Sequence, residues 1–166
     1  EKHLKTKWQM YREKKGSDFF EDQVWTIFAE MGADIINKDS TNTKLPYTES
    51  SNKKLDLFAI LDKTIIIGEC KCAQKENTDA SFNSILAEIE KVRDGSEDFL
   101  KKLYPKKAIV FILFTKNYKI GEALQRKLKE ANILLFDYQK IEYYLFLSQS
   151  LGSASKYQFY AEIFKG

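Results

Sequence analysis

Leu55-Asp56-Leu57-Phe58-Ala59-Ile60-Leu61, then Asp62-Lys63, then Thr64-Ile65-Ile66-Ile67-Gly68-Glu69-Cys70-Lys71-Cys72 reads as two apolar strands joined by a two-residue turn. A β-hairpin closed symmetrically about residues 62–63 pairs Leu61 with Thr64, Phe58 with Ile67 and Asp56 with Glu69. Period-2 alternation then puts Lys71 on the face of Glu69 and turns Cys70 and Cys72 to the opposite face. Charges embedded in buried strands need compensation, because an unpaired buried charge is costly. Two carboxylates facing each other across a ladder repel by ~0.2–1 kcal/mol even when exposed. A hard divalent cation removes that repulsion, and Mg²⁺ commonly takes one or two carboxylates while keeping several waters. The alternative is a solvated edge hairpin in which Lys71 only pairs with Glu69. Ile65-Ile66-Ile67 and the two cysteines weigh against it.

Outward from the hairpin, the pattern alternates between helices and strands. A charged helix is expected over residues 4–15, carrying Leu4, Trp8 and Tyr11. The next helix has Asp18 as N-cap and Glu21 in a capping-box relation to it. It carries Phe20, Val24, Ile27, Phe28 and Met31 on one stripe and stops at Gly32. Ala33-Asp34-Ile35-Ile36 is a candidate short strand, and residues 37–54 and 73–82 are expected as polar loops. Ile85, Leu86, Ile89 and Val92 mark a helix ending near Gly95. Ala108-Ile109-Val110-Phe111-Ile112-Leu113-Phe114 reads as a central strand covered on both faces. A helix over residues 120–131, a strand at 133–136 and a helix over 139–151 follow. The expected fold is α/β, a mixed central sheet flanked by helices on both faces.

The totals bound the function classes. The 166 residues, 43% hydrophobic and 31% charged, suit one globular domain with a net charge of only +3. Residues 1–16 form a basic arm, a body domain spans 17–151, and 152–166 is a linker or docking tail. The chain begins at Glu1, which allows it to be part of a longer protein with further domains. His3 is the only histidine; a Cys/His zinc site and a histidine-based catalytic triad are therefore excluded. Cys70 and Cys72 read as buried reduced thiols, as expected in the cytoplasm. No apolar run approaches membrane-spanning length.

Asp56, followed 13 positions later by Glu69-Cys70-Lys71, resembles the motif of the PD-(D/E)XK nuclease superfamily. The helix with Phe19-Phe20-Glu21 ending at Met31-Gly32-Ala33 is similar to the opening helix of its Mrr-like, restriction-endonuclease-like branch. The order of later elements is also similar, so the resemblance covers roughly residues 17–147. Leu55 stands where the motif has proline, and Glu69 where Mrr-type members have glutamine.

The resemblance implies that Asp56, Glu69 and the backbone carbonyl of Cys70 ligate Mg²⁺, for which Mn²⁺ substitutes. It implies that Lys71 orients the attacking water and stabilises charge, and that Glu21 is an auxiliary catalytic residue. It further implies a restriction-endonuclease-like fold and an endonuclease cutting DNA in restriction or phage defence. A homodimer is compatible with it. The rival readings are a catalytically silent nuclease-like module binding nucleic acid or protein, and a junction-resolving or RNA-processing nuclease of the same superfamily. Lys53, Lys54, Gln74 and Lys75 are candidate nucleic-acid contacts, and Lys101, Lys102, Lys106 and Lys107 are further basic residues expected near the site.

Overall fold

A computed structural model of the chain describes residues 15–37, 55–77 and 82–165, with only the backbone described at 75–77 and 82. The expected helix over residues 4–15, most of the 37–54 loop, Lys53 and Lys54 lie outside the described residues. The elements run α1 (Gly16–Glu30), β1 (Ile35–Ile36), β2 (Leu57–Leu61), β3 (Thr64–Asn77), α2 (Phe82–Leu103), β4 (Ala108–Tyr118), α3 (Glu122–Glu130), β5 (Ile133–Phe136), α4 (Tyr138–Leu151), a 3₁₀ turn (Gly152–Ala154) and α5 (Ser155–Ile163). The five strands form one mixed sheet in the order β1-β2-β3-β4-β5. β1 and β3 each pair antiparallel with β2, and β4 lies parallel to both β3 and β5.

Hairpin pairing has the expected register, with Leu61 opposite Thr64, Phe58 opposite Ile67 and Leu57 opposite Gly68. Alternation then sorts the side chains into two cores. Leu57, Ala59, Leu61, Ile66 and Cys70 pack with Phe20, Val24 and Phe28 of α1, Ile141 and Tyr144 of α4, and Phe159 of α5. Phe58, Ile60, Ile65 and Ile67 pack with Ile85, Leu86 and Ile89 of α2 and Leu124 and Leu128 of α3. Helices thus cover both faces. Gly68 has no room for a side chain: a Cβ there would lie 2.6 Å from Phe114 Cε2 and 3.0 Å from Leu57 Cβ. The Phe114 ring therefore presses directly on the strand, one residue before Glu69.

Several boundaries differ from the sequence reading. α1 starts at Gly16, with Lys15 at the N-cap and no side-chain cap. Asp18 lies inside the first turn, where its charge suits the helix dipole, and Glu21 closes no capping box. α1 ends as expected, with Gly32 at φ 80°. Residues 73–77 are not loop but a continuation of β3, with a register irregularity between Cys72 and Asn77. Asn77 pairs with Tyr118 of β4, and Asn117 Nδ2 donates to the Ala73 carbonyl at 2.8 Å, so partners on β4 take up backbone groups at both ends of a stretch whose polar composition suggested a loop.

α2 runs straight through Gly95. Ser96 is fully buried and its Oγ bonds back to the Val92 carbonyl at 2.6 Å. Burial of Leu100 further along outweighs the ~1 kcal/mol that a mid-helix glycine costs. Lys101 and Lys102 belong to the last turn of α2. Lys107 donates to the Asp62 carbonyl at the hairpin turn. Lys106 and Lys107 thus lie beside the turn, roughly 16 Å of strand away from Glu69, and not near the candidate site. Asp62 adopts φ 49° in that turn, and Lys156 and Tyr160 hold its carboxylate at 3.0 and 3.2 Å.

Beyond Gly152 the chain folds back as α5, and Phe159 is buried against Phe28, Phe136 and Tyr144. Among the described residues, no helix is long and apolar enough to cross a membrane.

Candidate active site

The β2–β3 ladder stops at Leu57 and Gly68, and Asp56 sits one residue beyond it, in a bend. The expected direct opposition of Asp56 and Glu69 is therefore not a ladder pair. Asp56 instead turns its carboxylate onto β3, and Oδ2 accepts the Cys70 backbone N–H at 2.7 Å. A buried asparagine shapes this departure. Asn37 Nδ2 donates to the carbonyls of Leu55 (3.4 Å) and Asp56 (3.3 Å), while its Oδ1 accepts from Phe58 N at 2.9 Å. The indole of Trp25 in turn donates to the Asn37 carbonyl. This clamp was absent from the sequence reading. An Asn closing an isoleucine pair carries no motif, and its partners lie 18 to 21 residues away.

Glu69 and Lys71 share the sheet face covered by α2, as alternation predicts. Lys71 Nζ lies 2.6 Å from Glu69 Oε1, with Glu69 nearly buried and Lys71 about a quarter exposed. Glu88 of α2 places Oε2 at 3.8 Å from the same ammonium. Nothing in the sequence marks Glu88 out. Its signal, one polar position on the rim of an apolar helix stripe, is shared by every amphipathic helix.

Burial, then the charge of Glu69, pushes the Asp56 carboxyl up to about 7; the Cys70 N–H opposes this and Glu21 reinforces it. Glu21, from the first half of α1, is also raised, by burial and then by Asp18, Glu69 and Asp22. Asp56 thus feels the charges of Glu69 and Glu21, and Glu21 feels that of Glu69, so negative charge gathers around Asp56 and Glu21. Burial by itself would lower Lys71, but its hydrogen bond to Glu69 and the charges of Glu69, Asp56 and Glu88 outweigh this, leaving it above its ordinary value. Lys71 is thus a permanent cation at neutral pH. Burial pushes the Cys70 thiol well up, so its sulfur is an inert core atom. Both cysteines are free thiols.

Among the described residues, no three His, Cys, Asp or Glu side chains are grouped to hold a metal. The donor set is narrower: two carboxylates, with a third, Glu21, in electrostatic reach. Two carboxylates suit a hard cation that retains most of its water. Of the candidate nucleic-acid contacts, Gln74 is exposed on the β3 extension and Lys75 lies next to it in the same strand.

Comparison of the chain with models of known protein families, with curated proteins and with solved structures gives no match.

A pH dependence follows from Asp56. The unfolded chain releases this proton near the ordinary value of 3.8, whereas the folded chain holds it to about 7. Between those values the folded state binds more protons, so stability falls as pH rises. In EDTA, the unfolding free energy of wild type relative to Asp56→Asn should decline from pH 4 to 7, by at most about 1.4 kcal/mol per pH unit, and then level off. Urea titrations at half-unit pH steps measure it. A constant difference would show that Asp56 ionises in the fold as it does in water.

Proposed function

We propose that this chain is a Mg²⁺-dependent endonuclease of the PD-(D/E)XK type, with a restriction-endonuclease-like fold, hydrolysing phosphodiester bonds of DNA. A cytoplasmic role in restriction or phage defence accompanies that reading. One observation carries it: Asp56, Glu69 and Lys71, spaced as in the motif, gather at the point where β2 leaves the sheet, and Asp56 bears a charge penalty with no cationic hydrogen-bond partner among the described residues. The helix-first order and the parallel β3–β4 pair connected through α2 also support it.

In this reading Asp56, Glu69 and the Cys70 carbonyl hold the cation. The bound ion supplies Lewis acidity, polarising a phosphoryl oxygen and acidifying a water. Lys71 is held protonated by its carboxylate partners, so it acts as a cation and hydrogen-bond donor. It orients the water and balances charge at phosphorus, and it is not the proton acceptor. Glu21, whose charge reaches Asp56 from α1, is the auxiliary carboxylate in this reading. Hydrolysis is direct, with no covalent enzyme intermediate.

Mn²⁺ binding tests the reading independently of any target sequence. A ligand at 100 times its dissociation constant stabilises the folded state by about 2.7 kcal/mol, or roughly 5–10 °C for a chain of this size. Wild type should show that rise in melting temperature with saturating Mn²⁺ or Mg²⁺, and Glu69→Gln should lose it together with plasmid nicking. An unchanged wild-type midpoint would leave a nuclease-like binding module as the better reading.

A further inference from the structure

Lys71 lies between two carboxylates, and the one it holds is needed elsewhere. Its Nζ is 2.6 Å from Glu69 Oε1 and 3.8 Å from Glu88 Oε2. Glu69 is a proposed cation ligand, so in the metal-free protein the ammonium and the cation compete for one carboxylate. An ammonium released from Glu69 in this half-buried setting needs another acceptor, since an unpaired buried charge is costly. Asp56 cannot serve, because in the same reading it is itself a ligand of the cation, with Oδ2 also accepting the Cys70 N–H. Glu88 is suitably placed. About 1 Å of travel brings Nζ from 3.8 Å to charge-assisted hydrogen-bond distance. The position of Glu88 is set by packing: Ile85 and Ile89, on either side of it in α2, are buried against the sheet. Its carboxylate is half exposed and has several acceptor sites, so it can take the ammonium in addition to its other contacts.

We infer that Glu88 is a positioning residue, the acceptor that takes Lys71 when Glu69 turns to a divalent cation and that keeps the ammonium at the reaction locus. This rests on the metal-dependent reading above. Its consequence is a coupling: Glu88 promotes cation binding through Lys71 and not only through its own charge.

Calorimetric Mn²⁺ titrations of wild type, Glu88→Gln, Lys71→Met and the double variant test this, with Lys71→Gln as a second neutral replacement. Glu88→Gln should weaken Mn²⁺ binding roughly 5- to 10-fold in the wild-type background and less than about twofold once Lys71 is gone. Lys71→Met alone should tighten it. Equal weakening in both backgrounds would show that Glu88 acts only as a nearby charge, and no weakening in wild type would remove its role; either result overturns the inference while the metal site stands. Absence of Mn²⁺ binding to wild type overturns the metal-dependent reading, and the inference with it.

Discussion

With the proposed nuclease activity, Lys71→Ala should lose Mg²⁺-dependent cleavage of duplex DNA by ~10²–10⁴-fold in rate, while the protein stays folded and binds Mn²⁺ at least as tightly as wild type. The size follows from the role. A preorganised cation aimed at developing charge in a partly dry site contributes about 10²–10³ by itself, and positioning of the water adds to it. Retained folding follows from the surroundings. Lys71 is about a quarter exposed and is held by ionic contacts with Glu69 and Glu88, so its truncation removes charge contacts and not an apolar core side chain. The expected stability cost is that of leaving Glu69 without its 2.6 Å partner, about 1–3 kcal/mol, and Mn²⁺ should restore it. Tighter or unchanged metal binding with lost cleavage separates Lys71 from the ligands, since Glu69→Gln should lose both. Far-ultraviolet circular dichroism, calorimetry and plasmid relaxation on the same preparation decide it. A Lys71→Ala protein that cuts within tenfold of wild type would remove Lys71 from the chemistry and the motif from the argument.

What the sequence discloses here depends on how far apart the partners are. The hairpin was legible because its information is local: alternation plus a turn centred on residues 62–63 determines the pairing of Phe58 with Ile67 and the facing of Cys70 against Glu69. β4 was legible because an apolar run such as residues 108–114 has few places to go except the middle of a sheet. The bend at Asp56 was not legible. Extrapolated register placed it opposite Glu69, whereas Asn37, buried and hydrogen-bonded across the start of β2, ends the ladder one residue earlier. The continuation of β3 to Asn77 was not legible because Gln74, Lys75 and Glu76 look like loop residues, and what carries the strand past them is the distant pairing of Asn77 with Tyr118 of β4. Gly95 suggested a helix end for the same reason: the propensity is local, and the burial of Ser96 and Leu100 that overrides it is not. Glu88 belongs to this group, a surface glutamate by sequence that acquires meaning only from 3.8 Å to Lys71.

Phe159→Ala should destabilise the whole domain by ~3–5 kcal/mol, the usual cost of truncating a fully buried phenylalanine. By sequence alone the stretch after Gly152 is a linker or docking tail, and only as a linker would truncation within it cost almost nothing. In the fold, Phe159 is 1% exposed. It meets Phe28 edge-on at 5.3 Å and Tyr144 at 5.7 Å, with Phe136 at 5.9 Å. One ring thus joins α5 to α1, α4 and β5. Against a total stability of about 5–15 kcal/mol, the loss is about a fifth or more, equivalent to roughly 10 °C in melting temperature. Tyr157→Ala, two residues away on the exposed side of α5, should move the midpoint by no more than about 1–2 °C, which controls for helix propensity. The same cluster lies behind the candidate site: Phe28 contacts Phe114 at 6.1 Å, and Phe114 is the ring that presses on Gly68, next to Glu69. Loosening Phe159 should therefore weaken Mn²⁺ binding as well as lower the melting temperature, whereas Tyr157→Ala should do neither. Equal melting temperatures for Phe159→Ala and wild type would mean that α5 is an appendage, and that the site is supported by α1, α4 and the sheet without it.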